Sequence, residues 1–187
     1  MISPNEIKEL QYKISRDGDQ HAYAQLYLAY MPYLLRFARS IIKNNELSEE
    51  VVSDVFIKVW QNRAEICKVD NLKLYLYVST KNTALNYLSR HFRKDVISLE
   101  EMSLNISIGS YNPEQLLITS EAVKKINYEI QKLPPRCRLI FKLVKEDRLR
   151  YNEIARLLNI SVKTIDNQMA IALKKISSAI NLDLKKA

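Results

Sequence analysis

Residues 151–175, YNEIARLLNISVKTIDNQMAIALKK, contain two helical apolar patterns separated by a break of about three residues. In the first pattern, Ile154, Ala155 and Leu158 recur at helical spacing and form one inward face. Because Ala155 is small, a second helix can approach this face closely. The stretch therefore predicts a helix-turn-helix.

The turn and the second helix carry matching signals. Asn159 tolerates a left-handed backbone conformation, Ile160 can fill the turn, and Ser161 is a favourable N-cap for the next helix. The apolar face of that helix is predicted to consist of Ile165, Met169, Ala172, Leu173 and Ile176.

The opposite face of the second helix has the chemistry of a DNA-reading surface. A rotation of about 100° per residue places there Lys163, Asn167, Ala170 and Lys174, with Thr164 and Ile171 on one flank. An Asn amide can pair with an adenine edge, methyl groups can meet thymine, and Lys can meet phosphate or guanine. The alternative is an ordinary amphipathic hairpin with a solvated face. DNA reading is favoured because turn length, small residue, cap and basic face all agree.

Composition predicts an all-α protein. The 187 residues include only 2 Gly and 5 Pro, 47% are hydrophobic, and no alternating strand pattern is bounded by turn signals. The length suits one average domain or two small ones. We predict two small helical domains, residues 1–93 and 119–187, joined by a linker at 94–118 that is acidic and rich in Ser and Asn.

Several function classes are disfavoured. Cys67 and Cys137 form no CxxC motif and the chain has only 2 His, so neither a metal site nor a disulfide is indicated, and a reducing cytoplasm is expected. The N-terminus has no apolar signal region, and no apolar run approaches the roughly 18 residues of a membrane span. No supported carboxylate pair or Gly-rich phosphate loop points to an enzyme.

The charge is uneven along the chain. Residues 119–187 hold 15 basic and 7 acidic residues, whereas residues 1–92 hold 12 and 10. The basic excess therefore lies with the helix-turn-helix, as phosphate binding requires. A membrane surface could also attract this charge, but the basic residues are spread over several helices with ordinary cores.

The N-terminal domain is predicted to start with a helix at residues 4–17. A second apolar pattern at 22–41 crosses Pro32, so we expect a long helix that is kinked or restarted there. A third helix is expected to begin with Ser48 as its N-cap. On this helix Ile57 and Trp60 lie outside the apolar stripe, and beside them lie Glu50, Asp54 and Gln61. Such a strip suits partner docking, although solitary exposed apolar residues are common.

Residues 61–71 lack periodicity and are predicted to be a loop, followed by a helix over 72–91. Its predicted core stripe is Leu74, Tyr77, Val78, Leu85, Leu88 and Phe92. Its far side is predicted to hold Asn82, Thr83, Asn86, Arg90 and Arg93, either as a second nucleic-acid face or as a solvated one. Further helices are expected from Pro113 or Ser120 to Lys132, and from Arg136 to Glu146.

Taken together, these segments resemble the extracytoplasmic-function group of sigma factors, the promoter-recognition subunits of bacterial RNA polymerase. SEEVVSDVFIKVW at 48–60 is similar to the family's polymerase-binding helix, and YLYVSTKNTALNYLSR at 75–90 is similar to its helix for the −10 promoter element. LPPRCRLIF at 133–141, with residues 151–168, is similar to its region 4. The resemblance covers nearly the whole chain.

The resemblance implies roles for three groups of residues. Those docking the clamp helices of core polymerase would be Glu50, Asp54, Ile57, Trp60 and Gln61. Those handling the opened −10 strand, where polar edges can read a flipped base, would be Asn62, Lys68, Asp70, Asn71, Asn82, Asn86, Tyr87, Arg90 and Arg93. Those in the major groove of the −35 element would be Lys163, Thr164, Asp166, Asn167, Gln168, Ala170, Ile171 and Lys174, with Arg150, Tyr151 and Lys175 on phosphates.

Two residues depart from the family pattern. Arg150 stands where the family has Ser or Thr, so half of a capping box with Glu153 is missing, at a cost of about 1 kcal/mol. Asp166 would repel phosphate, so it either accepts from a cytosine amino group or lies at the groove edge.

The resemblance implies core RNA polymerase, promoter DNA and an anti-sigma factor, often a membrane-anchored one, as partners. It implies a cytoplasmic protein with no cofactor and no small-molecule substrate. The residues leave one rival open, a two-domain transcriptional regulator whose N-terminal helices sense a ligand or partner and which binds duplex DNA unaided. A helical enzyme is a distant third.

Overall fold

The computed structural model describes residues 3–91 and 121–184. Every regular element in these ranges is a helix, which confirms the all-α prediction. The chain divides into two compact units, residues 1–98 and 99–187. The predicted linker at 94–118 lies outside the described residues, as do Phe92, Arg93 and Pro113, so the domain boundaries stay predictions.

The first unit contains helices α1 (Pro4–Asp17), α2 (Gln20–Ile42), α3 (Asn45–Gln61) and α4 (Leu72–His91), with a 3-10 helix at Arg63–Lys68 between the last two. Helix α2 is central, because α1, α3 and α4 all pack against it. The largest side chains buried in this unit are Ile14, Leu26, Leu34, Phe56, Leu72, Leu76 and Tyr77.

The long helix predicted across Pro32 is present, because α2 runs through that residue as one helix. The predicted start of α3 needs correction. Helix α3 begins earlier than expected, because Asn44 is its N-cap and accepts from Leu47 N at 2.9 Å. Ser48 lies one turn inside the helix, is buried, and donates its hydroxyl to Asn44 O. A Ser buried in the first turn bonds back to the preceding turn instead of capping.

The predicted inward face of α4 was also wrong in phase. Its buried residues are Leu72, Leu76, Tyr77, Thr80, Thr83 and Ala84. Of the predicted core residues that the structure describes, only Tyr77 is buried, while Leu74, Val78, Leu85 and Leu88 are partly exposed. The reason is that α4 packs against both α2 and α3, and small residues allow that approach. Thr80 satisfies its hydroxyl by donating to Leu76 O at 2.8 Å.

The second unit contains α5 (Glu121–Gln131), α6 (Pro135–Lys145), α7 (Tyr151–Leu158) and α8 (Val162–Leu184). Helix α8 is the centre, since α5, α6 and α7 pack against it. The core includes Leu133, Cys137, Ile140, Leu143, Leu149, Ile154, Leu157, Ile165, Met169, Ala172 and Ile176. Leu173, predicted to be in this core, is 49% exposed, because it lies at the edge of the α8 stripe.

The described parts of the chain contain no helix long and apolar enough to cross a membrane. Within the same residues, no group of three or more His, Cys, Asp and Glu could hold a metal ion. Cys67 is exposed, Cys137 is buried, and neither forms a disulfide.

Candidate functional site

The predicted helix-turn-helix is present between α7 and α8. Asn159 adopts the left-handed conformation, with φ 53° and ψ 50°, and Ile160 N donates to Ala155 O at 3.1 Å. Ser161 caps α8, because its Oγ accepts from Thr164 N at 3.0 Å. These local bonds hold the turn and therefore fix where α8 starts.

The start of α7 confirms the departure predicted at Arg150. The Glu153 carboxylate accepts from Arg150 N at 2.6 Å, which is one half of a capping box. The Arg150 side chain carries no acceptor, and the N–H of Glu153 donates to the Arg150 backbone carbonyl at 2.9 Å. The guanidinium group of Arg150 is exposed.

Most of the predicted reading face on α8 is exposed to solvent. The exposed members are Lys163, Asp166, Asn167, Ala170, Ile171 and Lys174. Thr164 and Gln168 are partly buried, and the Thr164 hydroxyl lies 2.8 Å from that of Ser161. The Gln168 backbone carbonyl accepts from Cys137 Sγ at 3.2 Å, a bond that ties α6 to α8.

The predicted phosphate-contacting residues lie at both ends of this motif. Lys175 is exposed on α8, and Tyr151 is partly buried at the first position of α7. Arg148 and Arg156, which were not predicted as phosphate contacts, are also exposed. Arg148 precedes α7 and Arg156 lies in its last turn, so their nearness in sequence to the helix-turn-helix was the available signal.

The strip predicted for docking lies on the exposed side of α3. Ile57 is 52% exposed, Glu50 and Gln61 are exposed, and Asp54 is partly exposed. Trp60 is partly buried, because the Tyr23 ring lies 4.9 Å from its centroid and the Arg63 guanidinium lies 4.9 Å from it as well.

Arg63 was missed from the sequence, although it follows Trp60 by three residues and so could have been expected beside it. Its Nη1 also donates to Trp60 O at 3.2 Å, which holds the cation over the ring. The indole is thus fixed by a ring and a cation before any partner binds.

Tyr87, which the resemblance assigned to the −10 surface, lies on α4, and its hydroxyl bonds to two carboxylates of α3. Its Oη lies 2.8 Å from Asp54 Oδ2 and 3.0 Å from Glu50 Oε1. The hydrogen bond to Asp54, with a contribution from Glu50, raises the pKa of Tyr87 well above its usual range. One side chain therefore joins the two groups of residues that the resemblance had kept apart.

The other α4 residues behave differently from one another. Asn82, Asn86 and Arg90 are exposed, as predicted. Thr83 is only 6% exposed, so its predicted place on the far side was wrong. Arg93 lies outside the described residues.

Residues 61–71 were predicted to be a loop without regular structure. This prediction was wrong in part, because the segment contains the 3-10 helix with buried Ile66. Three of the four polar residues assigned here already have partners within the chain. Asn62 Nδ2 donates to Lys58 O at 2.9 Å, Lys68 Nζ pairs with Glu65 at 2.7 Å, and Asn71 Oδ1 accepts from Leu74 N at 3.0 Å. The fourth, Asp70, is exposed.

Two family models match this chain. The model described as Sigma-70 region 2 matches residues 26–94, and the model described as Sigma-70, region 4 matches residues 120–176. The first falls in the unit with the docking strip, and the second contains the helix-turn-helix. Together the two matches cover most of the chain.

Curated relatives agree with these matches. The ECF RNA polymerase sigma-E factor of Escherichia coli (strain K12) is 25% identical over 170 residues, which cover 87% of this chain and 88% of the relative. The RNA polymerase sigma-H factor of Pseudomonas aeruginosa is 23% identical over 194 residues, which cover 100% of both chains.

Two solved structures share the fold. CnrH in complex with the cytosolic domain of CnrY has a TM-score of 0.53 and 19% identity, covering 95% of this chain and 99% of that chain. The sigma factor RpoE in complex with the anti-sigma factor NepR, from Bartonella quintana, has a TM-score of 0.55 and 18% identity, covering 86% and 98%.

Proposed function

This chain belongs to the extracytoplasmic-function group of the sigma-70 family, RNA polymerase sigma factors that direct promoter-specific transcription, and we propose how its residues divide that task. The N-terminal unit binds core polymerase and reads the −10 element, and the C-terminal unit reads the −35 element. Sigma factors are regulatory proteins without catalytic activity, so no reaction is assigned. The observation that supports this division of promoter reading is the outer face of α8, which is exposed and basic and follows the capped turn of the helix-turn-helix.

At the −35 element, the outer face of α8 lies in the major groove. Asn167 is exposed near the centre of this face and carries the amide best suited to an adenine edge. Lys163 and Lys174 lie toward the two ends of the same face, where they meet phosphates. Thr164, Asp166, Gln168, Ala170 and Ile171 complete the surface, with Asp166 at the groove edge.

Phosphate contacts come from Arg150, Tyr151 and Lys175, which border the reading face. Two cations and one phenol suit this role, because phosphate contacts set the register of a protein on DNA without reading sequence. The exposure of Arg150 and Lys175 supports the assignment.

Core polymerase docks on α3 through Glu50, Asp54, Ile57, Trp60 and Gln61. The support is an apolar pair, half-exposed Ile57 and partly buried Trp60, beside two carboxylates, with the indole already fixed by Tyr23 and Arg63. Rigid aromatic anchors of this kind commonly dominate binding energy at interfaces.

The opened −10 strand is handled by Asn82, Asn86 and Arg90 on α4, with Arg93 beyond the described residues, and by the 62–71 segment. Asn62, Lys68, Asp70 and Asn71 offer polar edges to a base extruded from the duplex. Tyr87 contributes its ring to stacking, since its hydroxyl is hydrogen-bonded to α3.

An anti-sigma factor is a further proposed partner. The sigma factor RpoE, whose structure is similar, is bound to the anti-sigma factor NepR. Here an anti-sigma factor would cover the docking strip or the α8 face and so compete with polymerase or promoter. Membrane anchoring of that partner, and a cytoplasmic location for this chain, belong to the same proposal.

Reconstitution with core polymerase tests the function. The chain is mixed with core enzyme and fragmented genomic DNA, and transcript starts are mapped. We expect specific starts that share sequence at −10 and −35 and that are absent with core enzyme alone. Binding to duplex DNA unaided, with no new starts, would favour the rival regulator.

A further inference from the structure

Gln11 on α1 is 1% exposed, and its amide nitrogen donates twice to the 62–71 segment. Nε2 donates to Ile66 O at 2.7 Å and to Val69 O at 2.9 Å. These carbonyls flank the end of the 3-10 helix, where Val69 N also donates to Ile66 O at 3.1 Å. One side chain therefore holds the turn that leads into Asp70 and Asn71.

Two more side chains of α1 hold the same segment. Lys8 Nζ donates to Val69 O at 3.3 Å, and Ser15 Oγ donates to Ala64 O at 3.0 Å. Together with Gln11 they recur at helical spacing, so one face of α1 carries a row of donors. The row runs along the backbone of the 3-10 helix from Ala64 to Val69.

Every acceptor in this row is a backbone carbonyl. The anchoring therefore sets the path of the segment without using its side chains. Asn62, Lys68 and Asp70 point outward and are exposed, while Ile66 is buried beneath them at 4% exposure. The shape of the segment is thus set from α1, and its polar side chains remain on the outer surface.

The amide of Gln11 is not simply a stabilising group. Its Oε1 is buried with no hydrogen-bond partner among the described residues. An unsatisfied buried acceptor opposes folding. The amide thus satisfies two carbonyls of the segment while leaving its own oxygen unpaired, and its clearest consequence is the geometry of the turn.

We propose that Gln11, assisted by Ser15 and Lys8, is a positioning residue for the −10 strand. Helix α1 carries none of the residues assigned to DNA, yet it sets base preference by fixing the segment that reads the base. This inference rests on the proposed function of the 62–71 segment. Recognition of a base through hydrogen bonds depends steeply on distance and angle. If the turn relaxes, discrimination between bases should therefore fall before binding of the strand does.

The test uses Gln11→Met, which keeps the length of the side chain and removes both donors. The full chain is assembled with core polymerase, and binding is measured on promoters pre-opened at −10 that carry each single-base change. We expect the preference at one −10 position to fall about tenfold, the scale of a lost base-reading contact, with unchanged affinity for core polymerase. An unchanged preference in a folded variant would overturn the inference.

Controls separate positioning from general stability. Gln25→Met makes the same change at an exposed position on α2 and should leave the preference unaltered. A purely structural role for Gln11 predicts that binding to all bases falls equally, which would count against positioning. If Gln11→Met fails to fold, Ser15→Ala decides, because it removes one bond at a partly exposed position. A smaller loss of base preference in Ser15→Ala supports the inference, and an unchanged base preference in that variant overturns it.

A second pair of variants separates this inference from the function on which it rests. Asn62→Ala and Asp70→Ala change the polar side chains of the segment itself. If neither alters any −10 preference, the segment does not read the strand, and both ideas fail. If they alter it while Gln11→Met and Ser15→Ala do not, only the positioning role of α1 is lost.

Discussion

The hydroxyl of Tyr87 on α4 lies 2.8 Å from the carboxylate of Asp54 on α3. Glu50 lies 3.0 Å from the same oxygen, one turn earlier on α3. A residue expected on the DNA side is therefore bonded to residues expected on the polymerase side. The residues of the docking strip and the helix proposed for the −10 element are thus linked by hydrogen bonds through one side chain.

Tyr87→Phe should lower the free energy of unfolding by about 1 kcal/mol or less, because a hydrogen bond to a carboxylate is lost at a site that solvent partly screens. Urea denaturation measures the change. Tyr75→Phe, at an exposed position on the same helix, is the matched control and should change stability little. Equal losses in the two variants would show that the bond to Asp54 contributes nothing.

The same bond predicts the behaviour of Tyr87 in alkali. Its pKa is raised above the usual value of 10.0, since the carboxylates bond to the protonated phenol and repel the phenolate. When the pKa of a group is higher in the folded state than in the unfolded state, its bonds contribute their full stability below the unfolded-state pKa. That contribution is lost as the pH rises through the folded-state pKa. The difference in free energy of unfolding between the wild-type chain and Tyr87→Phe should thus be constant around neutral pH and decrease only above about pH 10. Shrinkage already near neutral pH would contradict this assignment.

Trp60→Ala should weaken binding to core polymerase by about 2 kcal/mol, roughly thirtyfold, because an interfacial Trp anchor is removed. Binding of the full-length variant to −35 duplex is a separate property and should be unaffected. Titration of labelled chain with core enzyme gives the affinity.

The control for Trp60 is Tyr12→Ala on α1. Like Trp60, Tyr12 lies beneath an arginine, with the Arg16 guanidinium 5.1 Å from its ring, but Tyr12 is 52% exposed and lies outside the docking strip. Its loss should spare polymerase binding. Unchanged affinity in a folded Trp60→Ala variant would remove the strip as the docking site.

Asn167→Ala should cost about 1–3 kcal/mol at one −35 base pair and relax specificity there, because one amide reads one base edge. The measurement is affinity of the 119–187 fragment for duplexes carrying every single-base change. Asn152→Ala, an exposed amide on α7, is the control. A uniform effect across all positions would place Asn167 outside the reading face.

Lys174→Ala should weaken binding to all sequences alike and reduce the salt slope by about one unit, because a phosphate contact releases about one counterion. Affinity measured across a series of salt concentrations gives the slope. Lys145→Ala changes an exposed lysine at the end of α6, a different helix from the one that carries the reading face, and should leave the slope unchanged. A sequence-dependent loss at Lys174 would instead indicate base contact.

Arg150→Ser should raise stability and weaken DNA binding together. Ser can accept from Glu153 N and complete the capping box, which is worth about 1 kcal/mol. The same change removes a cation proposed to contact phosphate, so affinity should fall for all sequences. Thermal melting and duplex titration follow the two effects. Higher stability with unaltered affinity would leave Arg150 without a role on DNA.

Much of the second unit could be predicted from sequence. The turn at Asn159, the cap at Ser161 and four of the five predicted core residues of α8 were correct, because each depends on neighbours within a few residues. Leu173 was misplaced because periodicity fixes the centre of an apolar stripe better than its edges.

Helices α3 and α4 were harder to predict. Ser48 looked like a cap but is buried beneath the preceding turn, and the inward face of α4 is set by Thr80, Thr83 and Ala84. Polar and small residues carry a weak inward signal in a sequence. Their burial was decided by how closely α2 and α3 approach α4.

The sequence by itself determined the all-α class, the position of the helix-turn-helix and the sign of the charge beside it, since these depend on local spacing and composition. Only the tertiary structure brought Tyr87 to Asp54, 33 residues away, and Gln11 to Ile66, 55 residues away. Hydrogen bonds between distant elements require the packed positions of both partners, and no local pattern contains those positions.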